Sequence, residues 1–275
     1  MTTTAIHPIT ENLVASTINS QATESALNLL NSLNFPTRRT EDWKYTKVNK
    51  IIKQEYIQKD SSCELNSKDF IEPSLNAINV FVINGNYSTE LSDTNDNDGL
   101  FIEKISLNNV NYNTLADNKS NTFTALNSAY ANNGLSISVQ KNTTIKQPIH
   151  IIHINTDNNV IANPRTLIVI EQSSELEVIQ SYHSPSVENT FTNAVTEVLA
   201  KENAKFTLTK IENEGTNSSI IATDEIKQLN DSTIRVNTIT KRQDFARNGI
   251  NVSVDGQNCE TYLNGAYSPI KKEHI

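Results

Sequence analysis

Apolar residues along positions 10–34 recur with a helical period. Val14, Ile18, Ala22, Ala26, Leu30 and Leu33 are three or four residues apart, which places them on one stripe of a 3.6-residue repeat. Thr10 suits an N-cap and Pro36 a stop, so the pattern predicts an amphipathic helix. Residues 36–60 carry many charges and the single tryptophan, Trp43, which with Tyr45 is expected to pack on apolar surface; polar residues continue to about position 74. The period then changes. Asn79-Val80-Phe81-Val82-Ile83 runs into Asn84-Gly85-Asn86, a strand followed by a turn. Residues 92–122 are polar and weakly patterned, and are expected to be loop.

From about residue 135 the chain repeats. Polar four-residue turns begin at Gln140, Gln172, Lys201, Leu229 and Asp255, at spacings of 32, 29, 28 and 26 residues, each flanked by β-branched runs. Each unit reads as strand, tight turn, strand and looser connection. A period in this range marks stacked units that cannot bury an apolar face alone. A β-solenoid meets this requirement by stacking coil on coil. An antiparallel sandwich also has short strands and regular turns, and spacing alone leaves both open.

Composition narrows the class. The chain has 275 residues and a formal charge of −8, with 36% hydrophobic and 6% aromatic residues. No run approaches the ~20 apolar residues of a membrane span. The start, MTTTAIHPITENLVAS, has neither the basic nor the apolar part of a secretory signal. An acidic balance disfavours a nucleic-acid surface. Cys63 and Cys259 form neither a disulfide framework nor a zinc spacing. A cytoplasmic protein with no nucleic-acid or membrane partner is expected. Asparagine makes up about 14% of the chain while glycine and proline number seven each, so asparagine is expected to take over glycine's turn positions in part. A nucleotide-composition bias would enrich asparagine too.

Candidate chemistry is sparse. Aligning Asp93–Gly99 with a calcium loop puts Thr94 at position 1 and Ile105 at position 12, so both end ligands fail. His150 and His153 are three apart in an apolar strand, which sends their rings to opposite faces, and both are expected to be satisfied within the sheet. His7 and His183 have no sequence companions, and His274 is penultimate. Neither Cys63 nor Cys259 has a local signature of a nucleophile. The chain has no glycine-rich phosphate loop, paired-histidine helix or G-x-S-x-G elbow. These readings assign no catalytic, cofactor-binding or metal residue.

Several segments carry a resemblance. Pro36–Val48 reads PTRRTEDWKYTKV directly after the amphipathic helix, and Asn79–Tyr87 reads NVFVINGNY. Further matches are Phe123–Ala129 (FTALNSA), Pro164–Val169, Phe191–Val195, Arg247–Val252 and Leu263–Tyr267 (LNGAY). In order and spacing these resemble the SufD branch of the SufB/SufD family of the SUF iron–sulfur cluster assembly system, across nearly the whole chain. The WKYT segment favours SufD over SufB.

The resemblance implies a mainly β fold: a right-handed parallel β-helix core over residues 76–275 with an α-helical N-terminal region over 1–75. It also implies a non-catalytic scaffold subunit working with a SufB-like chain and the ATPase SufC, with the iron–sulfur cluster as product of the complex and no resident cofactor. Family members continue past the point matching Ile275 with further coils and a helical segment that docks the ATPase, so the sequence reads as C-terminally truncated with an uncovered last coil. The family's functional histidine falls in that missing part, and His274 is not assigned its role. A β-solenoid binding module or a carbohydrate-active β-helix enzyme are the competing functions.

Overall fold

The computed structural model describes residues 20–61, 65–94, 97–106, 109–241 and 243–268, together with Ile9 and Leu13. Three α-helices, α1 (Ser20–Ser32), α2 (Asn49–Ile52) and α3 (Thr122–Tyr130), accompany fourteen strands among these residues. β1 (Ile78–Ile83) and β2 (Asn86–Ser88) form the expected hairpin. β3 (Leu100–Lys104) pairs antiparallel with β4 (Leu135–Val139). Residues 92–122 are therefore not all loop. The apolar run Leu100-Phe101-Ile102 is too short to mark a strand without its partner. The helix expected over 10–34 is observed from Ser20, and positions 10–19, Leu13 apart, lie outside the described residues.

The remaining strands are β5 (Ile149–Ile154), β6 (Ile161–Ala162), β7 (Arg165–Ile170), β8 (Glu175–His183), β9 (Thr190–Ala200), β10 (Lys205–Glu212), β11 (Gly215–Gln228), β12 (Thr233–Lys241), β13 (Gln243–Val254) and β14 (Glu260–Ser268). One sheet has the order β14-β12-β10-β8-β5-β1-β2 and the other β13-β11-β9-β7-β4-β3. All neighbours from β5 onward are parallel. This is a parallel β-solenoid, and the sandwich is excluded because its sheets would be antiparallel.

The five polar turns stack on one edge. Asn142 N–H donates to Gln172 O, Ser173 to Glu202, Asn203 to Asn230 and Asp231 to Gln257, so each turn is tied to the next. Each turn places one residue in the left-handed region: Asn142, Ser173, Asn203, Asp231 and Asn258 have φ between 55° and 60°. L-residues pay for this conformation in steric strain, and asparagine tolerates it better than most. Nine of the twelve described non-glycine residues with positive φ are asparagine, which accounts for a protein rich in turns and poor in glycine.

Strand alternation sends one parity into the solenoid interior and the other outward. The outer face of the second sheet, through Phe191, Ile221 and Phe245, packs on Leu30, Phe35, Val48, Ile51 and Phe123 of the N-terminal half. Trp43 belongs to this layer: its ring is 5.3 Å from that of Phe123 and 4.0 Å from the Arg247 guanidinium. It anchors the segment, as expected for a lone tryptophan among charges. Tyr45 does not join it. Two residues along a turning backbone, it points away from the core and is 81% exposed.

Candidate functional site

The solenoid interior changes character along its length. Register places Ile78, Ile149, Val178, Leu208, Val236 and Leu263 in one column, apolar from first coil to last. Two residues further along each strand the column reads Val80, Ile151, Gln180, Lys210, Thr238, Gly265. Two more residues give Val82, His153, Tyr182, Glu212, Thr240, Tyr267. The facing sheet contributes Thr196, Asp224, Thr192 and Asn248. Half of the interior is thus an aliphatic stack, and the other half is polar and ionisable.

An unpaired charge in such a place costs several kcal/mol, and here the groups largely satisfy one another. Lys210, with its side chain fully buried, donates to Asp224 Oδ2 at 2.5 Å and to Asn248 Oδ1 at 2.7 Å. Glu212 Oε2 accepts from Thr240 Oγ1 at 2.7 Å and Asn248 Nδ2 at 3.0 Å. Glu214, at the corner between β10 and β11, accepts on Oε1 from Thr192 Oγ1 at 2.6 Å and Asn155 Nδ2 at 3.2 Å. That corner therefore ties together three successive coils. Glu214 Oε2 and Glu212 Oε1 are buried without a hydrogen-bond partner among the described residues. Burial raises the Glu214 carboxyl to about 8, with the Glu212 charge adding to the effect, so at neutral pH it holds its proton. Burial likewise pushes the Tyr182 phenol well above its ordinary value, followed by the charges of Asp224, Glu212 and Glu214.

The two strand histidines do face opposite ways. His150 Nε2 meets Ser181 Oγ at 2.8 Å on the outer face, while the His153 ring stacks inside on Tyr182 at 4.3 Å. The expectation that both are satisfied within the sheet fails. Among the described residues neither ring nitrogen of His153 has a hydrogen-bond partner, and His150 Nδ1 has none. A strand uses its backbone polar groups in the ladder, so an inward side chain depends on other side chains, and His153 lies between Val82 and Tyr182 in its column. Burial accordingly lowers His153 to about 3 and His150 to about 4. His183, isolated in sequence, comes to Ser181 Oγ at 3.0 Å, so one hydroxyl joins His150 and His183.

A second buried ion pair lies on the outer face of the second sheet. Arg165 and Glu197, 1% and 0% exposed, approach to 2.5 Å. Glu197 also accepts backbone N–H groups of Asn113, Leu115 and Ala116 at 2.9–3.0 Å, pinning that loop to the sheet. Burial alone would raise the Glu197 carboxyl, but the Arg165 charge and the Ala116 and Leu115 N–H groups hold it below its ordinary value.

Other candidates resolve as follows. Asp93 Oδ2 accepts from Asn79 N and Nδ2 at 2.8 and 2.9 Å, fastening a loop to β1. Cys259 is a free, half-buried thiol donating to Leu229 O at 3.2 Å in the last turn. His7, Cys63 and His274 lie outside the described residues. Among the described residues no group of three or more His, Cys, Asp or Glu side chains could hold a metal ion, and no helix is long and apolar enough to cross a membrane. Sequence reading missed Lys210, Glu212 and Asp224. A signal was present: in Lys205–Glu212 the alternation puts Lys210 and Glu212 on the parity of Phe206 and Leu208.

Comparison with known proteins gives this solenoid a family. Residues 7–151 match the SufBD protein N-terminal region, and residues 152–275 match the SufBD core domain of SUF-system FeS cluster assembly. An iron–sulfur cluster assembly SufBD family protein of Synechocystis is 25% identical over 250 residues, covering 84% of this chain and 55% of its own length. The iron–sulfur cluster assembly protein SufD of Escherichia coli K12 is 21% identical over 243 residues, covering 87% of this chain and 57% of its own. The chain spans somewhat more than half the length of these relatives. With both regions matched in tandem over a parallel β-solenoid, the chain belongs to the SufBD family.

Proposed function

We propose that this chain is a SufD-like scaffold subunit of SUF iron–sulfur cluster assembly, acting with a SufB-like chain and a SufC-like ATPase in the cytoplasm. The tandem match of both SufBD regions carries this reading. The likeness to E. coli SufD and the WKYT segment at Trp43–Thr46 support the SufD side of the family. The role is non-catalytic: the buried charges bond chiefly to one another and to neighbouring coils, as in Lys210–Asp224 and Arg165–Glu197, so they serve to hold the scaffold. The iron–sulfur cluster is the product of the complex and no cofactor resides in this chain. Co-expression with the SufB-like and SufC-like chains of the same genome, followed by affinity purification through this chain, tests the reading. Recovery of both partners is expected; recovery of neither would overturn it.

A further inference from the structure

A basic strip stands out on an otherwise acidic molecule. Residues 36–53 carry six cations, Arg38, Arg39, Lys44, Lys47, Lys50 and Lys53, against two acids, Glu41 and Asp42, in a chain of net charge −8. All six cations are exposed. The four lysines follow one another at intervals of three. The segment turns helically beneath them: Thr46 N–H reaches Trp43 O at 2.9 Å, Ile51 reaches Val48 O at 2.8 Å, and α2 follows. Trp43, Val48 and Ile51 face the core, so the lysines are held on the outer side by a buried anchor.

The strip also presents an apolar feature. Tyr45 is 81% exposed, with Lys44 Nζ 5.5 Å from its ring centroid. Beside it lies a groove of about 300 Å³, lined by Tyr45, Lys47, Lys50, Ile51, Asp244 and Phe245. Lys50 is paired with Asp244 at the groove wall. Folding alone does not account for Tyr45: leaving a large aromatic in water forgoes burial worth about 2 kcal/mol, while Trp43 two residues earlier already anchors the segment. An exposed tyrosine amid cations, next to a groove floored by Ile51 and Phe245, has the composition of a protein-binding hot spot.

We propose that residues 38–53 form a docking surface for an acidic segment of a partner protein, whose carboxylates meet Lys44, Lys47 and Lys53 and whose apolar side chain packs on Tyr45 in the groove. Charge complementarity selects this occupant. A nucleic acid would need a continuous cationic track, but its phosphates would meet Glu41, Asp42 and Asp244 here. A peptide can place carboxylates at helical spacing opposite the lysines and avoid those acids. The surface is independent of the cluster-assembly reading: its test requires neither SUF partners nor a cluster, so each can fail without the other.

The test is fluorescence anisotropy on the whole chain. The probe is a labelled helical peptide of roughly 16 residues with glutamates at three- and four-residue spacing and one central leucine. Micromolar binding is expected. The triple variant Lys44→Glu/Lys47→Glu/Lys53→Glu should weaken it at least about tenfold, and Tyr45→Ala by about fivefold or more. Lys141→Glu/Lys146→Glu, equally exposed but at the first turn, should leave it unchanged. Circular dichroism confirms that each variant is folded. If the triple glutamate variant does not fold, the corresponding Lys→Gln variant replaces it. Equal weakening by the Lys141/Lys146 variant, no effect of Tyr45→Ala, or tighter binding of a single-stranded oligonucleotide or a phosphatidylserine vesicle than of the peptide would each overturn the proposal.

Discussion

Replacing Glu214 by glutamine tests the buried proton directly. The glutamine side chain is close to isosteric, and its amide oxygen can keep the hydrogen bonds from Thr192 Oγ1 and Asn155 Nδ2. What the substitution removes is titration. The folded carboxyl is raised from 4.5 to about 8, so between those values the unfolded chain releases a proton that the folded chain retains. A group raised in the folded state contributes its full stability at low pH, and that contribution is lost as pH climbs toward the folded value. Each unit in the window removes about 1.4 kcal/mol, so going from pH 6 to pH 8 costs the wild type about 2–3 kcal/mol through this group. The variant lacks that slope. Urea unfolding followed by circular dichroism and Trp43 fluorescence at pH 6, 7 and 8 yields the difference in stability at each pH. The difference should shift in favour of Glu214→Gln as pH rises. Parallel profiles would show that Glu214 is ionised in the fold, and the account of the interior would be wrong.

Further outcomes follow from the same structure. His153, lowered to about 3 by burial, contributes stability above pH 6.5 that is lost as pH falls toward 3; His153→Phe should flatten that acid-side loss in the same assay. Arg165→Met leaves Glu197 buried and uncompensated and should cost about 3–5 kcal/mol, measured by urea unfolding. Adding Glu197→Leu should recover only part, because the N–H groups of Asn113, Leu115 and Ala116 then lose their acceptor. Asn203→Ala, at a φ of 55°, should destabilise by about 1 kcal/mol while Asn203→Gly is near neutral, read from thermal melts.

The repeat was legible because tight polar turns recur every 26–32 residues between strand-like runs. Parallel pairing was not legible in the spacing, which fits a sandwich as well; it followed from the family resemblance, and the interstrand register bears it out. Trp43 as an anchor followed from chemistry, since one indole among charges has one favourable place to go. Tyr45 defied the same rule because a helical turn cannot aim neighbours two apart at one surface. The polar interior was the larger omission. Lys210, Glu212 and Asp224 look solvated when each strand is read alone. Their inward direction is written in strand parity, but their pairing depends on which coils lie side by side. Arg165 and Glu197, 32 residues apart, meet only because β7 and β9 are neighbours.

The assembly role is tested most directly by cluster content. The SufB-like and SufC-like chains of the same genome, purified anaerobically with and without this protein, can be assayed for iron, acid-labile sulfide and visible absorbance of the cluster. The account predicts no cluster on this protein alone, and a higher cluster load on the complex when it is present. A stoichiometric cluster on the isolated protein, or an identical load with and without it, would contradict the account.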